Sequence, residues 1–318
     1  MFNFDAYADE QSAPFSITAV DPETDKELSG YYDLLLKPNE SKTLKVRVFN
    51  SSKNPIELSV EANTAWTNDN GITSYEKKDK KDDSLVASFE DMTEVSVNKL
   101  NIDTNGFKDI LVDVKMPDRQ ISGQILGGIR VSQIEDKKKE QTHAVSNQYS
   151  YVIGVLLCQS KDKINPQILL NEVGPAQVNG KNIIFGNLQN CQPTIIKKLT
   201  AHAQIYDKDG NLRYEREANN MRMAPNSNFD YQVSLDDAAL EPGDYIFKIE
   251  GLADDVAYKF SKGFTVSDKE AKQYNKTAVY VETQTGLESY VLILIVAVLL
   301  IIIGTFYYIY RKRKSNDN

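Results

Sequence analysis

The sequence predicts an all-β protein: two tandem immunoglobulin-like β-sandwich domains followed by one C-terminal transmembrane helix. Three observations carry this. Stretches such as TLKVRVFN, IELSVEA and DILVDVKM alternate apolar and polar residues, the pattern of a half-buried strand. Turn-forming segments (KPNESK, SSKNP, TNGFKD, PDRQISG) separate them at short intervals, as in antiparallel sandwiches. Residues 290–310 carry no charge and no proline. That run of about 21 residues makes a helix of roughly 30 Å, the thickness of a hydrocarbon core.

Residues 1–13 read as a residual leader region. MFNFDAYADEQSAPF has no apolar core, yet Ala6-Tyr7-Ala8 ahead of Asp9-Glu10 fits a signal-peptidase site. The expectation is the tail of a signal peptide; the alternative is insertion by the C-terminal span alone. Residues 14–158 form the first predicted sandwich. In TLKVRVFN, Leu44, Val46 and Val48 face a core while Lys45 and Arg47 face water. Gly123, Gly127 and Gly128 of GQILGGI fit neither a dinucleotide loop nor a phosphate loop, and in a strand they mark a bulge or a close approach. The mixed-charge runs EKKDKKDD (76–83) and EDKKKE (135–140) read as solvated loops.

SKDKINP, within residues 159–166, is a polar linker. The second sandwich spans residues 167–267. It contains the hairpin signature YDKDGNLRY, and LEPGDYIFKIEG sets a Pro-Gly turn before an alternating strand. Asp207, Asp209 and Asn211 alternate like a calcium loop but lack its later glutamate, so they read as a turn. Residues 268–289 are a polar stalk. Tyr290 and the group Tyr307, Tyr308 and Tyr310 flank the 290–310 helix, and Arg311, Lys312, Arg313 and Lys314 open a basic tail at 311–318. Such cations stay cytoplasmic. The expected localisation is therefore single-pass in the cell membrane, with most of the chain extracellular.

Acidic residues outnumber basic ones, 45 to 37, for a net charge of −8, which argues against nucleic acid held by bulk charge. Cys158 and Cys191 are too few for a disulfide scaffold; they are one bridge or two free thiols. The two histidines, His143 and His202, fall in different predicted domains, which leaves no histidine triad or multi-histidine metal site. No catalytic residue, cofactor or metal site is expected, and the chain reads as a binding protein. Trp66, Asn68 and Tyr75, an aromatic-polar stretch after a strand, are the glycan candidates. Tyr206, Arg213 and Tyr214 around the hairpin are the protein-interface candidates.

APFSITAV, YYDLLLKPNESKTLKVRVFNSSKNPIEL and GQILGGIRVSQ, in that order, resemble the first domain of the WxL-interacting proteins, membrane-anchored surface proteins of low-GC Gram-positive bacteria. NPQILLNEVGPAQVNG, LEPGDYIFKIEG and KFSKGFTV resemble that family's second domain. The resemblance implies an immunoglobulin-like first domain attached to peptidoglycan. It implies a second sandwich that binds a secreted WxL-domain protein and, in some members, host extracellular-matrix proteins. A membrane-tethered chaperone for exported subunits, capping them by strand exchange, is the alternative expectation.

Overall fold

The structure is a computed structural model and describes residues 13–28, 30–134, 148–279, 281 and 294–305. The alternating stretches become strands because one side of each can be buried while the other stays wet. In chain order these are β1 (Phe15–Val20), β2 (Tyr31–Leu35), β3 (Ser41–Asn50), β4 (Ile56–Thr64), β5 (Trp66–Thr67), β6 (Thr73–Ser74), β7 (Thr93–Val95), β8 (Lys99–Ile102), β9 (Phe107–Lys115), β10 (Gln124–Gln133) and β11 (Ser150–Cys158). A sheet ordered β1-β3-β9-β7 packs on one ordered β2-β11-β10-β4-β8, with β5-β6 as a separate ribbon. Leu44, Val46 and Val48 of β3 are fully buried between them. Burial of each such side chain is worth about 1.5–3 kcal/mol. On the outer side Arg47 holds Asp109 through Nε at 2.7 Å and Asp25 through Nη2 at 2.9 Å. Tyr32 ties the two sheets: its hydroxyl lies 2.8 Å from Val20 O and 2.7 Å from Lys45 O.

The second sandwich comprises β12 (Ile168–Val178), β13 (Lys181–Asn190), β14 (Ile196–Asp207), β15 (Leu212–Met223), β16 (Ser227–Ser234), β17 (Gly243–Ala253) and β18 (Val256–Val266). A sheet ordered β12-β13-β16 packs on one ordered β15-β14-β17-β18 around Leu199, Ile205, Tyr231 and Phe247. The alternating strand after Pro242-Gly243 is β17. Tyr245 at its start donates to Glu241 O at 3.0 Å, which closes the corner as in other sandwiches. Buried Tyr231 lies 3.1 Å from Ala201 O and 3.0 Å from Arg216 O, and burial pushes its phenol up to about 12.

Gly127 and Gly128 serve a close approach rather than a bulge, since the β10–β11 register is unbroken from Gln124 to Ser132. A Cβ on Gly127 would lie 2.0 Å from Phe89 Cγ in the core, and one on Gly128 would lie 2.5 Å from Tyr75 Cδ1 on the opposite face. Two aromatic rings thus occupy the space that side chains would fill, one on each side of the same strand.

The segment from β5 to Met92 leaves the first sandwich and reaches the second. Thr67 Oγ1 is fully buried, 2.6 Å from Ser227 Oγ, and accepts from Ala224 N at 3.0 Å. Gly71 O accepts from Arg222 N at 2.7 Å. Asp69 accepts from Asp230 N at 3.1 Å and from Gln232 Nε2 at 3.2 Å. Asp82 accepts from Gln189 Nε2 at 2.7 Å and from Asn228 Nδ2. The charge run 76–83, expected to be a solvated loop, is therefore part of the seam between sandwiches. A second seam forms where Gln124 N donates to Pro193 O and Gln124 Oε1 accepts from Ile195 N, each at 2.7 Å.

Residues 268–277, the start of the expected stalk, form a helix, α1 (Asp268–Thr277). Ser267 and Glu270 close it with a capping box, and Ala271 is buried against the second sandwich. Asn275 clamps the helix by donating to Leu240 O at 2.9 Å and accepting from Leu240 N at 2.8 Å. A ten-residue segment with one buried alanine has too narrow an apolar stripe to be read as a packed helix. Cys158 and Cys191 are free, half-buried thiols. Of the expected 290–310 span only residues 294–305 are described; they are helical, and no helix among the described residues is long and apolar enough to cross a membrane. The flanking tyrosines, the basic tail, residues 1–12 and the 135–140 run lie outside the described residues.

Two outcomes follow. Gly127→Ala forces Phe89 out of place and is expected to destabilise the protein by about 1–3 kcal/mol in urea unfolding. Burial works to raise the Asp82 carboxyl, but hydrogen bonds from Asn228, Ser84 and Gln189 outweigh it and hold the group below the ordinary 3.8. A depressed folded value gives stability that is complete above the unfolded value and fades as pH falls below it. Asp82→Asn should therefore be the less stable protein at pH 7, with the gap to wild type narrowing from about pH 5 to about pH 3.

Candidate functional site

The glycan candidates do not form one cluster. Trp66 begins the β5-β6 ribbon, where its Nε1 donates to Glu76 O at 2.9 Å and the Lys78 ammonium stands 4.3 Å from its ring centroid. Asn68 is consumed locally: its Oδ1 accepts from Asn70 N at 3.1 Å and from Ile72 N at 3.2 Å, which builds the 68–71 turn. Tyr75 lies over Gly128, its hydroxyl beside the facing Gly154, and is a structural cover for β10 and β11. Trp66 borders a pocket of about 20 Å³ at the seam whose wall includes Lys78, Lys81, Asp82 and Asn228.

Beyond this pocket runs a polar strip that the sequence candidates missed. Outward positions of β13 and β16 carry Asn187, Gln189, Asn228, Asp230 and Gln232. Asn171 Nδ2 donates to Asn187 Oδ1 at 3.0 Å and to Gln189 Oε1 at 3.1 Å. Asn187 Nδ2 in turn donates to Asn228 Oδ1 at 3.2 Å and to Asp230 Oδ1 at 2.8 Å. Burial lifts the Asp230 carboxyl above its ordinary value against the Asn187 hydrogen bond, and the charges of Asp69 and Glu172 add to the lift. The i, i+2 spacing of amides along NLQN and SNFDYQ is the signal that could have found the strip. Chemically, such a row of amides and carboxylates beside an indole suits hydroxyl groups and amides. Among the described residues no group of three or more His, Cys, Asp or Glu could hold a metal ion.

The protein-interface candidates also part company. Ile205, buried, faces Tyr214 across β14–β15, so Tyr214 turns inward and packs on the core. Arg213 Nη2 is held by Glu241 Oε2 at 2.9 Å. Tyr206 remains on the outer face, its ring 4.4 Å from the Lys248 ammonium. There it belongs to an apolar row across β15, β14 and β17: Leu212 lies opposite Tyr206, just past an irregularity in the β14–β15 pairing, and Tyr206 lies opposite Ile246, with Gly263 of β18 next in line. Leu212 and Ile246 are 45% and 40% exposed, which is uncommon for branched apolar residues aligned on one face. Paired charges flank the row, including His202 with Glu215 at 3.2 Å and Lys259 with Glu250 at 2.6 Å. An apolar strip bounded by paired charge is the anatomy of a protein-binding surface.

Residues 15–133 match the WxL Interacting Protein peptidoglycan binding domain, and residues 140–276 match the WxL Interacting Protein host binding domain. The second match begins ahead of β11, which in three dimensions completes the first sandwich. No curated protein matches. Solved structures that overlap include a chain of a chaperone–tip adhesin complex of CFA/I fimbriae biogenesis, at 12% identity over 80% of this chain and 98% of that one, with a TM-score of 0.31. The YadV chaperone overlaps at 11% identity over 80% and 100% of the two chains, with a TM-score of 0.32. Overlaps this loose carry no argument about function. The two family matches together span residues 15–276 apart from a short gap, and the chain belongs to the WxL-interacting protein family.

Proposed function

We propose that this protein is a non-catalytic, membrane-anchored surface scaffold. Its first sandwich holds peptidoglycan, and its second holds a secreted WxL-domain protein and host extracellular-matrix proteins. The observation that carries the reading is the tandem order of the two family matches, peptidoglycan binding then host binding. The domains we assign are residues 14–158 and 167–267, with residues 290–310 as the anchor and the bulk of the chain outside the cell. The apolar run and the four cations after it support that orientation. Within the first unit we assign glycan contact to Trp66, because an indole beside amides and carboxylates gives sugar rings both a stacking face and hydrogen-bond partners. Within the second we assign partner contact to the Leu212–Tyr206–Ile246 row.

Because the 67–82 segment is hydrogen-bonded into the second sandwich, the sandwiches should be tested joined. Sedimentation of the chain with purified peptidoglycan sacculi is the direct experiment. Trp66→Ala should weaken sacculus binding about tenfold, or ~1.4 kcal/mol, and leave capture of a purified WxL-domain protein unchanged. Tyr206→Ala should do the reverse, at a cost of about 2 kcal/mol to partner binding. Wild-type protein that does not sediment with sacculi overturns the peptidoglycan assignment. Ending the chain at residue 289 should release it from the membrane fraction into the medium; retention on the membrane would refute the anchor.

A further inference from the structure

A cleft of about 910 Å³ opens between the two sandwiches, bordered by β2, the 160–166 segment and the Pro193–Lys198 stretch of the second sandwich. We propose that this cleft seats an extended, acidic polypeptide segment of a protein partner, added to the open edge of β2 with its carboxylates toward Lys197 and Lys198. The inference goes beyond the assignment of partner contact to the outer face of the second sandwich.

The backbone of β2 carries the argument. β2 is the edge of its sheet, paired only with β11, in parallel register from Gly154↔Tyr31 to Cys158↔Leu35. Just beyond it, Leu36 N donates to Cys158 O at 2.9 Å. N–H and C=O directions alternate along a strand, so Leu34 and Tyr32 also face β11. The N–H and C=O groups of Tyr31, Asp33 and Leu35 then point to the open side. Among the described residues no hydrogen bond reaches them from that side. A row of alternate donors and acceptors is satisfied at once by an added strand, and a cleft of this volume is within the range of ligand sites. Leu35, which lines the cleft, is 51% exposed, and Tyr31, four residues earlier on the same face of β2, is 56% exposed, so apolar side chains of the incoming strand have partners.

Charge selects the occupant. The irregular pairing between Ile196 and Leu199 interrupts the alternation of β14, leaving two consecutive lysines, Lys197 and Lys198, both exposed. Asp254, the adjacent carboxylate, already accepts from the backbone N–H of both at 2.9 Å. Among the described residues neither ammonium has an ion-pair partner. Asp33 on the β2 side repels acids placed next to it, whereas the opposite wall adds Lys161 and Lys163 to the two lysines, with Asp162 and Asp255 beside them. The occupant's carboxylates are thereby directed to the lysine wall and its apolar side chains to Tyr31 and Leu35. An alternating apolar–acidic segment meets both demands.

The test uses the full chain in detergent micelles and a synthetic ten-residue peptide alternating valine and glutamate. The expected result is saturable binding that slows hydrogen exchange in the 31–35 segment about tenfold. The double variant Lys197→Glu/Lys198→Glu should weaken binding at least about tenfold. Leu35→Pro, which removes one outward donor and leaves the bonds to β11 intact, should weaken it while exchange across β10 and β11 stays as in wild type. A peptide N-methylated at alternate residues should not bind. No protection of 31–35, or protection that survives charge reversal, overturns the proposal. Sacculus binding through Trp66 and partner binding through Tyr206 use other residues, so failure in those assays with 31–35 protection intact sinks the functional reading alone. The converse result sinks this inference alone.

Discussion

The structure turns on a carboxylate and a hydroxyl that one sandwich lends to the other. Asp82 receives two amide donors from β13 and β16, and Thr67, fully buried, bridges Ser227 Oγ and Ala224 N. These groups are partly or wholly shielded from water, where an unmet donor or acceptor costs about 1–3 kcal/mol. Separating the sandwiches would leave several unmet until water reached them. The seam therefore behaves as part of the fold rather than as a flexible joint, and it sets where Trp66 sits and how wide the cleft beside β2 can be.

A second constraint runs through β10. Phe89 belongs to the segment that crosses to the second sandwich, yet its ring is seated in the first core because Gly127 has no side chain. Tyr75, from the same excursion, is seated over Gly128 on the other face. The two rings anchor the segment to the first sandwich while Thr67, Asp69, Gly71 and Asp82 attach it to the second. Chain continuity alone would leave about 25 residues to wander, and loop closure of that length carries an entropic cost that these contacts offset.

The candidate site was only partly legible in advance. Trp66 could be picked out as the sequence's only tryptophan, a residue type that stacks on sugars when exposed, but whether it lined a cavity depended on where Lys78 and Asn228 arrive from. Tyr214 and Tyr206 look alike in sequence. Tyr206 faces outward by the alternation of β14, whereas Tyr214 turns inward because it pairs with buried Ile205, and such pairing is a property of two strands together. The charge run 76–83 has the composition of a solvated loop and lacks any local sign that Asp82 has partners more than a hundred residues away.

What the sequence determined by itself is what a strand determines by itself. Period-two alternation in β3, β9 and β17 follows from each residue's own affinity for water, and so does the apolar character of the run that is helical over the described residues 294–305. Turn chemistry such as Asp207-Lys208-Asp209-Gly210 acts within four residues, and it was equally readable. Tertiary structure alone decided the glycines' use, the docking of α1, the apolar row across β15, β14 and β17, and the seam. Each depends on pairing segments that are distant in the chain, such as Thr67 with Ser227. Composition records which groups need partners; only the folded geometry determines which partners are within reach.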